Sequence, residues 1–300
     1  MSAVAASTEH SDRPTRWRWW IIGVAVVAVI GGGVLGGYLW LTSDQAVPVD
    51  VQQVAANFRT TTTVARSPTT PAPTSAAAGS TTSVASTTTR PAAPIGVYVY
   101  NTTGQEGVDA LGGSEHPYPA ATTITMSDLG NGCRSTRWDA LEQRWSDAQL
   151  CPGPDGWTLS AKTVYHAFFH QSDERVYSCQ PGSVHLPADL TPDLTFSAYC
   201  TSGGTSASGA STEEIHGRVI GDEAITVDGQ PVDTVHVQYQ ITIGGETGGQ
   251  TNIDRWYARD VPLLLVKEVS DSATTSEEVI GTVHYDERYE LVLQSLEPIA

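Results

Sequence analysis

Between Trp19 and Leu41 the chain reads WWIIGVAVVAVIGGGVLGGYLWL, 23 residues without one charged side chain. A run of that length spans the roughly 30 Å hydrocarbon core of a bilayer as a helix, the one simple structure that satisfies its own backbone in lipid. Arg13, Arg16 and Arg18 stand just before it. After it come Asp44 and Asp50, and the next cationic residue is Arg59. The positive-inside rule then leaves residues 1–18 as a cytoplasmic tail, 19–41 as a transmembrane helix and the rest outside. Trp17, Trp19 and Trp20 at one end and Tyr38 and Trp40 at the other fit the two interfacial aromatic belts. The run outlasts a secretory h-region and no small-x-small site follows closely, so the sequence implies an uncleaved signal anchor in the cell membrane. Gly32 with Gly36 and Gly33 with Gly37 form overlapping small-xxx-small pairs, a candidate surface for a transmembrane-helix dimer.

Residues 42–94 read as a disordered stalk. From Thr60 to Pro94 they are almost entirely Thr, Ser, Ala and Pro, which bury too little apolar surface to offset chain entropy. Stretched as polyproline II, this piece would reach on the order of 100 Å. Both a glycosylated spacer and an inert linker agree with that composition. From residue 95 to residue 300 an extracytoplasmic, β-rich domain is expected. It carries 10 Lys and Arg against 29 Asp and Glu, a net charge of −19. That excess argues against nucleic acid as a partner and against docking on anionic headgroups.

Strand signals dominate the outer part, at residues 97–100, 122–126, 163–169, 234–243 and 279–296, with turn clusters GQEG, PGPDG, VDGQP and GGETGGQ between them. Short connections of this kind join antiparallel strands. Residues 135–150 also accept a helical reading, with Trp138, Leu141 and Trp145 on one stripe. The four cysteines, Cys133, Cys151, Cys179 and Cys200, allow three pairings. A straight helix would hold Cys133 and Cys151 roughly 25 Å apart, whereas a hairpin turning near Glu142 and Gln143 brings them together. The expectation is therefore a hairpin closed by Cys133–Cys151, with Cys179–Cys200 closing the next loop.

No motif for catalysis, metal or cofactor emerges, and none is assigned. His166 and His170 are spaced i, i+4, but Ala167 occupies the place where a zinc protease needs Glu. The pair reads as facing solvent on a strand whose other face holds Tyr165, Ala167 and Phe169. Neither GxSxG nor a phosphate loop occurs, and acidic pairs such as Asp222/Glu223 and Asp286/Glu287 lack calcium-loop spacing. Asn101-Thr102-Thr103 is formally a glycosylation acceptor and reads first as a strand end.

VPLLLVKEV, residues 261–269, carries the main question. On a strand Leu263 and Leu265 point one way and Leu264 and Val266 the other, so both faces are apolar. Along the last strand, Leu291 and Leu293 after Tyr289 suggest a bulge or bend. The expected fold is mainly β: a curved antiparallel sheet, half-barrel or sandwich, behind the membrane helix. Its second face is covered either by another layer or by a ligand. If a ligand binds, the apolar face would consist of Trp256, Leu263, Leu265, Tyr285, Leu291 and Leu293.

VDGQPVDTVHVQYQI, DRWYARDVPLLLVKEV and GTVHYDERYELVLQSLEP together resemble the late strands of bacterial envelope proteins with the LolA or LppX-type lipoprotein-carrier fold. The whole outer part, with its four cysteines, is similar to membrane-anchored envelope proteins of actinobacteria. The resemblance implies a non-enzymatic domain that binds a lipid or another apolar envelope component. The sequence departs from the carriers in having no lipobox and no long amphipathic helix ahead of the late strands. A structural or interaction module contacting protein or glycan is the alternative, and a cell-wall hydrolase the third.

Overall fold

The computed structural model describes residues 44–65, 93–203, 209–278 and 281–300. The expected cytoplasmic tail, the membrane helix with its glycine pairs, and residues 42–43 and 66–92 of the expected stalk lie outside these. No helix among the described residues is long and apolar enough to cross a membrane.

Among the described residues a helix, α1 (Val51–Ala65), precedes fourteen strands. The first seven strands are β1 (Gly96–Val108), β2 (Ser114–Pro117), β3 (Ala121–Gly130), β4 (Cys133–Leu141), β5 (Arg144–Gly153), β6 (Gly156–Phe168) and β7 (Gln171–Cys179). The rest are β8 (Val184–Pro187), β9 (Thr195–Ser202), β10 (Ser211–Val227), β11 (Gln230–Gly245), β12 (Thr247–Ala258), β13 (Leu265–Glu278) and β14 (Gly281–Leu293). Twelve of them follow one another as antiparallel neighbours, and the last then pairs with the first, from Tyr100 opposite Leu293 to Val108 opposite Tyr285. The sheet is a closed barrel. β2 adds to the far end of β1, and β8 adds to the start of β6.

Closure corrects the expected half-barrel or sandwich. β1 is long enough to bond β3 through Gly96–Asn101 and β14 through Tyr100–Val108, so a single strand seals the ring. Part of that strand is GQEG, which the sequence reading took for a turn. Gly104 makes the closure possible: a Cβ there would sit 2.1 Å from the Arg288 carbonyl oxygen, at a φ of +128° that side chains avoid.

Alternation sorts the side chains as a barrel requires. On β10, Glu213, Ile215 and Val219 are buried, while Glu214, His216 and Arg218 are exposed. On β11, Val237, Tyr239 and Ile241 are buried, while Gln238, Gln240 and Thr242 are exposed. These outward positions are polar, unlike the apolar belt of a lipid-facing barrel.

Several local expectations hold. Residues 133–153 form a hairpin turning at Glu142 and Gln143, and Cys133–Cys151 and Cys179–Cys200 are both bonded, each joining neighbouring strands. Such bonds persist in an oxidising compartment. Asp228-Gly229 has positive φ at both residues, the two-residue turn that suits the twist of β10 and β11.

Part of the span read as stalk is structured. Val51, Val54, Ala55 and Phe58 recur at helical spacing, and Asp50 Oδ1 accepts the Gln52 amide at 2.8 Å to cap α1, which packs on β1 and β3. Ahead of it, Val47 and Gln45 are hydrogen-bonded to the β4–β5 turn.

Candidate functional site

The lumen is layered along the barrel axis. Near the β4–β5 turn it is charged, in the middle aromatic, and at the opposite end it holds a hollow.

The charged layer begins at the seam. Glu106 on β1 and Glu287 on β14 are direct partners, both buried. Two anions side by side in low dielectric require compensation. Arg144, from β5, gives Glu287 a two-pronged contact at 2.8 and 3.1 Å and stands 4.0 Å from Glu106. Tyr118 donates to Glu287, and Tyr285 donates to Glu106 at 3.0 Å. His116 Nδ1 and His166 Nδ1 each lie 3.1 Å from a Glu106 oxygen. Burial pushes the Glu106 carboxyl up, but its hydrogen bonds from His116 and His166 and the charges of His166 and Arg144 prevail and hold it at about 2. Burial works against charge on His116, yet Glu106 and Asp44 outweigh it and raise its affinity for a proton. Asp44 pairs with His116 Nε2 at 3.0 Å without hydrogen-bond alignment, tying the chain ahead of α1 to this layer.

Tyr118, Trp138 and Tyr289 form the middle layer, with ring centroids 4.5 to 6.1 Å apart. Tyr118 reaches Glu287 on one side, and Tyr289 donates to Glu268 at 2.6 Å on the other. The aromatic rings therefore connect the charged layer to the hollow.

The hollow has a volume of about 110 Å³ and is partly open. One wall is apolar: Ile124, Met126, Leu150, Leu263, Leu264, Leu265 and Leu291. Tyr98 and Tyr100 present their rings, since their hydroxyls are committed to the Pro94 and Leu265 carbonyls at 2.8 and 2.7 Å. The other wall is polar. Arg255 donates from Nε to Glu268 at 2.6 Å, and its Nη1 lies 3.4 Å from His185 Nε2. His185 Nε2 is also 3.1 Å from the Tyr257 hydroxyl. Burial, with the charges of Arg255 and Lys162, lowers the proton affinity of His185 well below the usual imidazole range. The ring is neutral, and facing an arginine its Nε2 acts as acceptor.

Three consecutive leucines line this one hollow, against the alternation expected of VPLLLVKEV. The strand begins only at Leu265. Leu263 and Leu264 sit in the preceding turn, where Leu264 N donates to the Val261 carbonyl at 3.1 Å and Leu263 has a φ of +68°. A register shift between Trp256 and Tyr257 completes the departure from alternation. Leu263, Leu264, Leu265 and Val266 are all buried, so both flanks are dry, but as a plug at the barrel end.

The residues proposed as an apolar face are divided. Leu263, Leu265 and Leu291 line the hollow; Leu293 is buried beside it opposite Tyr100. Tyr285 points into the charged layer. Trp256 lies on the outer face, because its neighbours Arg255 and Tyr257 face the hollow. There it stacks on His236 at 4.2 Å, donates to Glu223 at 2.7 Å and lies under Lys267. β14 needs no bulge: Tyr285, Glu287, Tyr289, Leu291 and Leu293 share one parity and one side. His166 and His170 do not form a solvent-facing pair. His166 points inward to Glu106, and His170 occupies the β6–β7 turn with a φ of +61°.

Sequence reasoning passed over Glu106, His116, Arg144, His185, Arg255 and Glu268. Parity offered a signal: Tyr98, Tyr100, Thr102 and Glu106 are even-numbered on one strand, as Arg255 and Tyr257 are odd-numbered on another. Among the described residues no group of three His, Cys, Asp or Glu side chains is placed to hold a metal ion.

No protein-family model and no curated protein matches the sequence. Solved structures similar to it include two lipoprotein-named chains. The hypothetical lipoprotein YmcC of Escherichia coli is 9% identical, over 67% of this chain and 85% of that one, with a TM-score of 0.31. A protein provisionally named a lipoprotein from Parabacteroides distasonis is 11% identical, over 68% and 96%, with a TM-score of 0.31.

Proposed function

We infer that the chain is a membrane-tethered, extracytoplasmic β-barrel that acts without catalysis and binds an apolar or envelope-derived ligand. The observation carrying this reading is the hollow: a partly open space with a leucine and tyrosine wall facing a few convergent polar groups, the usual composition of a ligand site. The ionisable groups of the charged layer, by contrast, are bonded to one another and serve the barrel's integrity. The tether is the apolar run 19–41, with the N-terminus cytoplasmic.

Native mass spectrometry of the full-length protein released from membranes, followed by organic extraction, tests the reading. A co-purifying apolar molecule that is lost on Leu264→Phe, which fills the hollow, supports it. An intact barrel that carries nothing and takes up nothing would refute it.

One observation favours a second reading, a structural or interaction module contacting envelope protein or glycan. The hollow, at about 110 Å³, is smaller than the roughly 300 Å³ at which ligand pockets usually begin. Crosslinking in intact cells that captures one envelope partner, unaffected by Leu264→Phe, would favour it.

A further inference from the structure

We propose that the hollow selects an uncharged group about the size of a single six-membered ring, bearing one hydroxyl or carbonyl. This rests on the ligand-binding reading above and adds the chemistry of what is bound.

Charge decides first. Arg255 and Glu268 are joined at 2.6 Å and neutralise each other, and Tyr289 occupies the second Glu268 oxygen. His185 is an acceptor toward Arg255 and adds no charge. The wall is thus balanced. A ligand carboxylate would meet Glu268 as well as Arg255, and an ammonium Arg255 as well as Glu268, so either charge would leave water for a wall of no net charge.

Size decides next. An engineered apolar cavity of about 150 Å³ admits benzene; this one is somewhat smaller, at about 110 Å³.

Polarity fixes the last feature. Ser146 and Thr136 line the hollow together with the Tyr257 hydroxyl, which is bonded to His185. A single ligand hydroxyl or carbonyl can exchange hydrogen bonds with this group, while the rest of the ring lies against leucine and tyrosine. A purely apolar ring would leave the hydroxyls without that exchange.

Full-length protein in lipid nanodiscs, labelled at the leucine methyl groups, is titrated with phenol, benzoate and benzylamine, three probes sharing one ring. Saturable shifts at Leu264, Leu265 and Leu291 are expected with phenol, and with the charged probes only at about 100-fold higher concentration, if at all. Benzoate or benzylamine shifting those methyls as readily as phenol overturns the inference while leaving the ligand-binding reading intact. Silence from all three probes overturns both.

Variants give an independent measure. Glu268→Gln leaves Arg255 without its counter-ion, and benzoate should gain at least about tenfold relative to phenol. Arg255→Gln should shift the preference toward benzylamine. Unchanged probe ranking in both folded variants would overturn the role of charge balance.

Discussion

Glu106 and Glu287 face each other across the seam where β1 meets β14, and the Arg144 guanidinium beside Glu287 reaches both. The ring is closed over a pair of like charges that a third strand neutralises. Removing the cation alone should therefore cost more than removing the group as a whole. Arg144→Met is expected to lose about 3–5 kcal/mol, and the double variant Arg144→Met/Glu287→Leu to recover much of that loss. Urea unfolding followed by circular dichroism measures both; an equal loss in the two would contradict the assignment.

The charged layer should make stability depend on pH at both ends. Glu106 is held at about 2 against an ordinary 4.5, so its contribution is complete above pH 4.5 and is lost as pH falls toward 2. His116 is raised above 6.5, so its contribution is complete below pH 6.5 and is lost as pH rises through the raised value. His185, held neutral well below 6.5, works in the opposite direction and loses stability as pH falls below 6.5, so the His116 part is read from calorimetric Tm of a His116→Gln variant against the parent across pH. His116→Gln should flatten the alkaline decline and leave much of the acid decline.

Both disulfides close loops of similar length, 18 and 21 residues in separation. Loop entropy assigns each about 3 kcal/mol. Replacing Cys133 and Cys151 together by Ser should shift the urea midpoint accordingly, and a shift near zero would show that the β4–β5 hairpin needs no covalent support.

Leu263 and Leu264 should respond oppositely to glycine. Leu263 has a left-handed backbone, so Leu263→Gly should be less damaging than Leu263→Ala by about 1 kcal/mol. At Leu264, whose φ is not positive, Gly should be the worse of the two. The same order at both positions would mean that the turn carries no such strain.

Gly104 is the tightest point of the seam. Gly104→Ala drives a methyl into the Arg288 carbonyl at an unfavourable φ, and a loss of more than about 2 kcal/mol is expected. Hydrogen exchange should show the first opening at β1 and β14.

The sequence made the β4–β5 hairpin, the disulfide pairing and the burial of Leu263 to Val266 legible, because turn chemistry and apolar content act locally. It did not reveal closure, since the pairing of Tyr100 with Leu293 has no local signature. Inward charges were missed for a related reason. Glu106 stands between glycines, and glycine-flanked acids ordinarily mark turns; only a partner strand from the far end of the chain makes GQEG a strand. Trp256 was assigned to the wrong face because its apolarity outweighed its parity beside Arg255. Its stacking on His236 shows that a buried indole can belong to the outside of a barrel.

Among the described strands, the first to be synthesised completes its bonding only with the last. Until β14 has been delivered, that strand is a hazard, able to recruit any extended segment nearby. Closure thus waits for β14, and a truncation that removes it should leave an open edge in place of a shortened protein.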